Sequence, residues 1–248
     1  RDPQFPGMRR EMTAEVVRYL DETAVNEANF VLYSRLNSAN ADRVIQEQVD
    51  YFAGHGRSFE WKLFDHDTPP DLRGRLEAHG FSIGEPEAIM VLDLHSAPPV
   101  LRLPVTATVR RLTRPDDAHL VVPVEEAVWG GDHSAWGARL AEEMRTAPDL
   151  LSVYLAYVDD VPACAAWINF TPGSQFASLW GGSTRPEYRK RGLYTAVLAV
   201  RVQEALQRGY RYLTIDASPM SRPIVARHGF RFLTYSYPCS WEPEEGKT

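Results

Sequence analysis

The sequence predicts an α/β fold in which helices flank a mixed sheet. Three observations favour it: an alternating order of helix and strand patterns, a hairpin turn at Asp159-Asp160, and a long amphipathic helix that ends at Gly209. The chain has 248 residues, of which 44% are hydrophobic and 24% charged. This balance is typical of one large or two small globular domains.

The first half mixes helix and strand patterns. Apolar residues at helical spacing predict helices over 12–24, 42–52 and 70–80. Alternation predicts strands over 59–64 and 88–94, and 30–36 fits either a strand or a helix. Residues 1–7 show no pattern and precede Met8, so we expect them to be a cloning remnant.

The second half follows a proline-rich segment at 96–104, which predicts a linker between domains at 8–95 and 105–248. Helices are predicted over 116–129, 134–146, 192–208 and 220–228. Strands are predicted over 106–112, 151–158, 161–170, 176–184, 212–217 and 230–241. This order, β-α-α-β-β-β-α-β-α-β, is that of a mixed sheet with flanking helices.

The two halves end alike. In each, a strand ends near an aspartate (Asp65 or Asp216), and a short helix, a His-Gly-Phe triplet and another strand follow. The triplets begin at His79 and His228. The match of order, helix length and triplet predicts a degenerate duplication, and its long period means two domains.

Charge and composition exclude several classes of protein. With 27 basic and 33 acidic residues the net charge is −6, which argues against general nucleic-acid binding. No apolar stretch approaches the roughly 18 residues that span a bilayer, and no secretory leader is visible. Two cysteines, Cys164 and Cys239, exclude a disulfide framework and a structural zinc site. We therefore expect a cytoplasmic protein with no metal and no membrane partner.

A cationic loop at a helix start is the most informative motif. Arg189-Lys190-Arg191-Gly192 lies between a predicted strand and a predicted helix. The first helical turn has unpaired N–H groups and the positive end of the helix dipole, and a glycine lets an anion approach. The pattern therefore predicts a pyrophosphate-type site. The alternative is a basic surface turn before an ordinary helix.

The surrounding segment TRPEYRKRGLYTAVL, residues 184–198, resembles the acyl-CoA loop of the GNAT superfamily of N-acetyltransferases, Gln/Arg-x-x-Gly-x-Gly/Ala. Arg189 matches the first position and Gly192 the central glycine. Tyr194 stands where the family prefers Gly or Ala, and we expect it to crowd the phosphate site slightly. With the matching element order over 106–241, the resemblance implies a GNAT-like acyltransferase fold, in tandem with a degenerate N-terminal half.

The resemblance also implies how acetyl-CoA would bind. Loop N–H groups would hold the pyrophosphate, and the strand before the loop would splay from 212–217 so that pantetheine pairs with its edge. The implied cofactor-binding residues are Leu179, Trp180, Gly181, Gly182, Ser183, Thr184, Arg189, Lys190, Arg191, Gly192, Leu193, Tyr194, Thr195 and Ser218.

Catalytic residues are less directly implied. The family's usual tyrosine acid aligns with Val225 and its usual asparagine with Ser218, and the strand that often carries a glutamate base has no acid. We predict Asp216 or Glu126 as the proton acceptor and Ser218 as a hydrogen-bonding group near the thioester. Each has a structural alternative: Asp216 and Ser218 as turn or helix caps, and Glu126 on a solvated helix face.

The resemblance implies a transferase that moves an acetyl group from acetyl-CoA to a primary amine of a small molecule, directly within a ternary complex. Tryptophans in elements around the acceptor side, Trp129, Trp136 and Trp180, suit an apolar or cationic acceptor, although core packing is the alternative. The expected partners are acetyl-CoA and the small amine, for a monomer or homodimer. A non-catalytic acyl-CoA-binding sensor is the runner-up, and a purely structural domain is a third hypothesis.

Overall fold

The computed structural model of the chain describes residues 8–21 and 29–243, so the predicted remnant at 1–7 lies outside the described residues. The strands, in chain order, are β1 (Met8–Met12), β2 (Val16–Asp21), β3 (Phe30–Ser34), β4 (Phe59–Phe64), β5 (Ser82–Ile83), β6 (Glu87–Asp93), β7 (Val109–Arg111), β8 (Leu151–Val158), β9 (Val161–Phe170), β10 (Phe176–Thr184), β11 (Tyr212–Ala217) and β12 (Arg231–Trp241). The α-helices are α1 (Ala41–Gly54), α2 (Leu72–Ala78), α3 (Val122–Trp129), α4 (Ser134–Thr146), α5 (Leu193–Gln207) and α6 (Arg222–Arg227).

Internal contacts divide the described chain into two units. Residues 90–232 form the C-terminal unit, and residues 8–89 with 233–243 form the N-terminal unit. The proline-rich segment 96–104 is packed within the C-terminal unit, because Leu101 is fully buried and its carbonyl accepts from the Gln203 side chain. The domain bounds expected from the sequence, 8–95 and 105–248, stay a prediction.

The C-terminal unit is built on a mixed sheet in the strand order β6-β11-β10-β9-β8-β7. β10 is parallel to β11 and antiparallel to β9, which confirms the mixed sheet. Alternation along β9 sends Ala165 and Trp167 into a core with α3 and α4, and Cys164 and Ala166 into a core with α5. The sheet therefore has an α3/α4 face and an α5 face, each covered by helices.

The N-terminal unit has the strand order β1-β2-β3-β4-β12, with β5 paired to β12. The helix predicted over 12–24 is wrong: β1 and β2 form an antiparallel hairpin there. Val16, Val17 and Leu20 are all buried, so β2 is covered on both faces and lacks the alternation of a half-exposed strand. Three apolar residues at these positions fit a helix equally well, which explains the error.

The repeated His-Gly-Phe triplet is the same helix-ending motif in both units. Gly80 after α2 and Gly229 after α6 adopt positive φ, +87° and +91°. In each case the phenylalanine N–H bonds a carbonyl of the helix's last turns, Phe81 to Leu76 and Phe230 to Val225. This is a Schellman arrangement, in which a left-handed residue lets the chain satisfy the last helical carbonyls.

Candidate active site

The predicted loop lies at the start of α5. Gly192 precedes the helix with a φ of +78°, which favours glycine, and a Cβ built there would meet no atom within 4 Å. The helical ladder begins with the Ala196 N–H donating to the Gly192 carbonyl at 3.0 Å, and no side chain caps the helix. The N–H groups of Leu193, Tyr194 and Thr195 therefore precede the ladder. These donors have no partner within the helix, and a turn of this kind can bind an anion.

Three cations border this turn. Arg189, Lys190 and Arg191 are all exposed. The Arg189 side chain donates from Nε to the Thr184 carbonyl at 3.2 Å, so it is held where β10 ends. Lys190 has a φ of +61°, a conformation that is uncommon for a residue other than glycine. A positive helix end with three exposed cations around it favours a multiply charged anion such as a pyrophosphate.

β10 separates from β11 as expected. Their parallel pairing runs from Phe176 opposite Tyr212 to Leu179 opposite Ile215 and ends there. β10 continues to Thr184, paired with β9 alone. The edge of residues 180–184 that faces β11 is thus outside the parallel ladder, and an extended ligand with amide groups can add to it.

A β-bulge interrupts β10 within this open edge. The register against β9 shifts between Gly181 and Ser183, and Gly181 and Gly182 adopt φ of +67° and +87°. A Cβ at Gly182 would lie 2.7 Å from Cε2 of Tyr194, and one at Gly181 would lie 2.4 Å from Cζ3 of Trp167. Both positions therefore require glycine for conformation and for space.

Tyr194 packs toward the bulge. Its ring lies against the Gly182 backbone, which accounts for a tyrosine at a position where the family motif has Gly or Ala. Burial raises the pKa of its hydroxyl, which has no hydrogen-bond partner among the described residues. Its backbone N–H stays in the open turn at the helix start.

A buried carboxylate approaches the bulge from the α3/α4 face. The Ser183 hydroxyl donates to Oε2 of Glu125 at 3.1 Å and accepts from Nε1 of Trp129 at 3.1 Å. Glu125 is only 5% exposed and Ser183 6%, whereas Trp129 is 62% exposed. Burial raises the pKa of the Glu125 carboxyl above its ordinary 4.5, and the Ser183 hydrogen bond offsets part of the shift.

Glu125 thus lies on the core side of α3. Its Oε1 has no partner among the described residues. Helical spacing from Ala118 and Val121 already extends the buried stripe to Glu125, and this was the available sequence indication. Glu126 accepts the His133 backbone N–H at 3.3 Å and so supports the start of α4.

The other predicted catalytic residues occupy β11 and the turn after it. Asp216 lies one residue beyond the last pair of the β10–β11 ladder. Phe176 stacks on Tyr212, and alternation then puts Asp216 on the same face as Trp180. Ser218 accepts the Ser221 N–H and lies 3.2 Å from its hydroxyl, which matches the capping alternative.

The N-terminal unit has the corresponding strand, loop and helix in β3 and α1, but its loop is closed by asparagines. The Asn37 side chain accepts the N–H groups of Ala39 and Asn40 at 2.9 and 3.2 Å. The Asn40 side chain in turn accepts the Asn37 N–H at 2.7 Å. These donors precede the helix, and the Ala41 N–H at its start donates to the Asn37 carbonyl at 3.1 Å, so the asparagines hold this loop together.

Across residues 8–21 and 29–243, no cluster of three or more His, Cys, Asp or Glu side chains is arranged to bind a metal ion. The helices in the same part of the chain are all too short or too polar to cross a membrane.

Comparison with known proteins agrees with this geometry. A family model for the acetyltransferase (GNAT) domain matches residues 102–216, which include the bulge, the cationic loop and α5. No curated protein sequence matches the chain.

Solved structures resemble nearly the whole chain. A GCN5-related N-acetyltransferase from Kribbella flavida is 16% identical with a TM-score of 0.72, over 97% of this chain and 91% of that one. A conserved protein of unknown function from Staphylococcus epidermidis ATCC 12228 is 14% identical with a TM-score of 0.74, over 96% of both chains. A tandem GNAT protein from the clavulanic acid biosynthesis pathway is 16% identical with a TM-score of 0.63, over 98% and 85%.

At these identities the structural likeness shows the fold, and it confirms the two-part GNAT-like fold expected from the sequence. Residues 102–216 match the family model for the acetyltransferase (GNAT) domain in sequence, and nearly the whole chain resembles GNAT proteins in fold.

Proposed function

We propose that the C-terminal unit transfers an acetyl group from acetyl-CoA to a primary amine of a small molecule, by direct attack within a ternary complex. One observation carries this proposal. The open edge of β10 has the uncapped, cationic start of α5 at one end, and a buried carboxylate reaches its bulge from the α3/α4 face.

The donor would lie along the edge of residues 180–184. Its pyrophosphate would accept from the N–H groups at the start of α5, with charge from Arg189, Lys190 and Arg191. Pantetheine amides would pair with the edge as an added strand does. The thioester carbonyl would then reach the bulge, where the Gly181 N–H would stabilise the oxyanion of the tetrahedral intermediate.

The chemistry requires an uncharged amine. Its lone pair forms the new N–C bond at the thioester carbon, and the C–S bond breaks as the intermediate collapses. Glu125 accepts the proton that the nitrogen loses, because a carboxylate with a raised pKa holds a proton better than an exposed one. The thiolate takes up one proton to leave as CoA, so the overall reaction neither releases nor consumes a proton.

The acceptor side combines indole rings with carboxylates. Trp129 and Trp180 are 62% and 44% exposed although both belong to regular elements. Glu125 and Asp216 lie on the same face. Exposed indoles and carboxylates together attract a cationic amine with an apolar body, which supports a small-molecule amine as acceptor. Glu126 supports α4, so we assign the proton-accepting role to Glu125 instead.

Calorimetric titration with acetyl-CoA tests donor binding. We expect micromolar binding that Gly192→Glu abolishes, because glutamate adds a negative charge at the open turn. Gly192→Gln has the same bulk and the same backbone strain without the charge, so it should retain measurable affinity. Gly74→Glu places the same charge at an open position of α2 and should bind as the wild type does. Absence of binding by the wild type would refute the proposal.

A second measurement separates the enzyme from a non-catalytic acyl-CoA sensor. The sensor is favoured by Val225, a fully buried valine at the family's usual tyrosine position. Release of CoA is followed over a panel of primary amines. Release that depends on one amine class identifies the enzyme and its acceptor, whereas binding with no release on any amine identifies the sensor.

A further inference from the structure

An arginine is buried directly beneath the bulge on the α5 face. Arg201 is 1% exposed and lies in an otherwise apolar stretch of α5. Its Nε donates to the Val197 carbonyl of its own helix at 3.0 Å. Its Nη1 lies 3.1 Å from both the Trp167 carbonyl of β9 and the Trp180 carbonyl of β10. One nitrogen therefore bridges two strands at the last pair before Gly181.

This bridge sets the direction of the next N–H group. The Trp180 carbonyl and the Gly181 N–H belong to one peptide unit, and a trans peptide holds them in opposite directions. Because the carbonyl is turned to Arg201, the Gly181 N–H points away from Arg201. Glu125 and Trp129 approach the bulge from the opposite, α3/α4 face.

The charge has a second effect on the same peptide. A cation bound to a carbonyl oxygen draws electron density from the peptide and makes its N–H a stronger donor. Within the described chain, Arg201 has no carboxylate partner, and its hydrogen bonds go to backbone carbonyls alone. Burial of an unpaired guanidinium is unfavourable, so an apolar side chain would serve the core better. Stability alone does not account for an arginine here.

We infer that Arg201 is a positioning residue for acetyl transfer, which orients and polarises the Gly181 N–H through the Trp180 carbonyl. The inference rests on the proposed function, in which this N–H stabilises the oxyanion. Arg201 touches neither substrate. It acts on the donor that the thioester meets, so its loss should affect the chemical step and leave the affinity for acetyl-CoA unchanged.

Infrared difference spectra of bound acetyl-CoA labelled with ¹³C at the thioester carbonyl test this role. In the wild type, the hydrogen bond from Gly181 should lower the carbonyl stretching frequency relative to free acetyl-CoA. In Arg201→Lys and Arg201→Gln the frequency should move back toward the free value while the dissociation constant stays the same. We expect kcat to fall by roughly tenfold to a hundredfold, less than the ~10²–10³-fold loss from removing an oxyanion donor outright.

A matched control comes from the same helix. Glu204 is buried near the C-terminal end of α5, where its carboxylate accepts hydrogen bonds from Ser152 and Tyr154 and pairs with Arg208. Glu204→Gln should lower the melting temperature without moving the carbonyl frequency or kcat of the folded protein. A frequency that is unchanged in both Arg201 variants would overturn the inference. Wild-type protein that binds no acetyl-CoA would instead refute the proposed function.

A further measurement needs no Arg201 variant. Protein labelled with ¹³C at tryptophan carbonyls and ¹⁵N at glycine shows only the amides of Trp-Gly pairs, which here are Gly130, Gly137 and Gly181. With acetyl-CoA bound, compared with CoA, the Gly181 amide proton should move downfield, and the other two should stay in place. An unmoved Gly181 resonance would overturn the inference even if every Arg201 variant failed to fold.

Discussion

Replacing Glu125 by glutamine tests the assignment of the proton acceptor. The change keeps the size of the side chain, and the amide oxygen can still accept from Ser183 at the position of Oε2. It removes the ability to take a proton. General-base catalysis contributes about 10²–10⁴-fold, so we expect kcat to fall by roughly 10²–10³-fold, or ~3–4 kcal/mol of transition-state stabilisation.

The pH dependence of the reaction rate tests the same variant more specifically. Burial raises the pKa of the Glu125 carboxyl above 4.5, so the wild-type rate should decline toward acid at a pH above that value. In Glu125→Gln this acid limb should vanish along with most of the rate. Initial rates of CoA release from pH 4 to 9, with saturating donor, make the measurement.

Two neighbouring carboxylates supply the controls. Glu126→Gln keeps an amide oxygen that can accept the His133 N–H, and it should retain kcat within about twofold, because Glu126 has no role in the proposed reaction. Asp216→Asn should raise the KM for the amine more than it lowers kcat. Glu125 is not the proton acceptor if Glu126→Gln or Asp216→Asn loses the acid limb while Glu125→Gln keeps it.

Three substitutions should change the stability of the fold. Gly182→Ala should destabilise the fold by about 2–4 kcal/mol, because its Cβ would lie 2.7 Å from the Tyr194 ring and its φ is +87°. Urea titration measures this loss, and a loss below ~1 kcal/mol would contradict the prediction. Glu204→Gln should lower stability by about 2–4 kcal/mol, since it leaves the Arg208 cation without its buried partner; an unchanged melting temperature would contradict it. The raised pKa of Glu125 means that the folded chain holds this proton more tightly than the unfolded chain, so its contribution falls as the pH rises through that pKa. Glu125→Gln should therefore melt above the wild type at pH 8 and together with it at pH 4, and the reverse order would contradict the buried site.

Local patterns account for the parts of the fold that were predicted correctly. The Asp159-Asp160 turn adopts left-handed φ at both residues, as a two-residue hairpin turn requires, and joins β8 to β9. The helix start at Gly192 and the strand that precedes it depend on contiguous residues as well. The prediction from local patterns was wrong at β2, where burial on both faces removed the alternation that distinguishes a strand from a helix.

Residues distant in sequence required the tertiary structure. Glu125 meets Ser183 across 58 positions, and Arg201 bridges Trp167 and Trp180 across 34 and 21. No spacing rule within one element brings such groups together, because strand register and helix packing decide which of them meet. The choice of Glu125 over Glu126 likewise depends on which face of α3 lies against the sheet.

The sequence by itself determined that an open, cationic helix start follows a strand, since a glycine and three basic residues at a helix end act through nearest neighbours. Only the tertiary structure decided what surrounds it. The end of the β10–β11 ladder at Leu179, the two glycines of the bulge and the buried charges on either face arise from long-range strand pairing. Electrostatics depends on burial, and burial is a property of the packed chain, so the pKa of Glu125 follows from the fold and not from its neighbours in sequence.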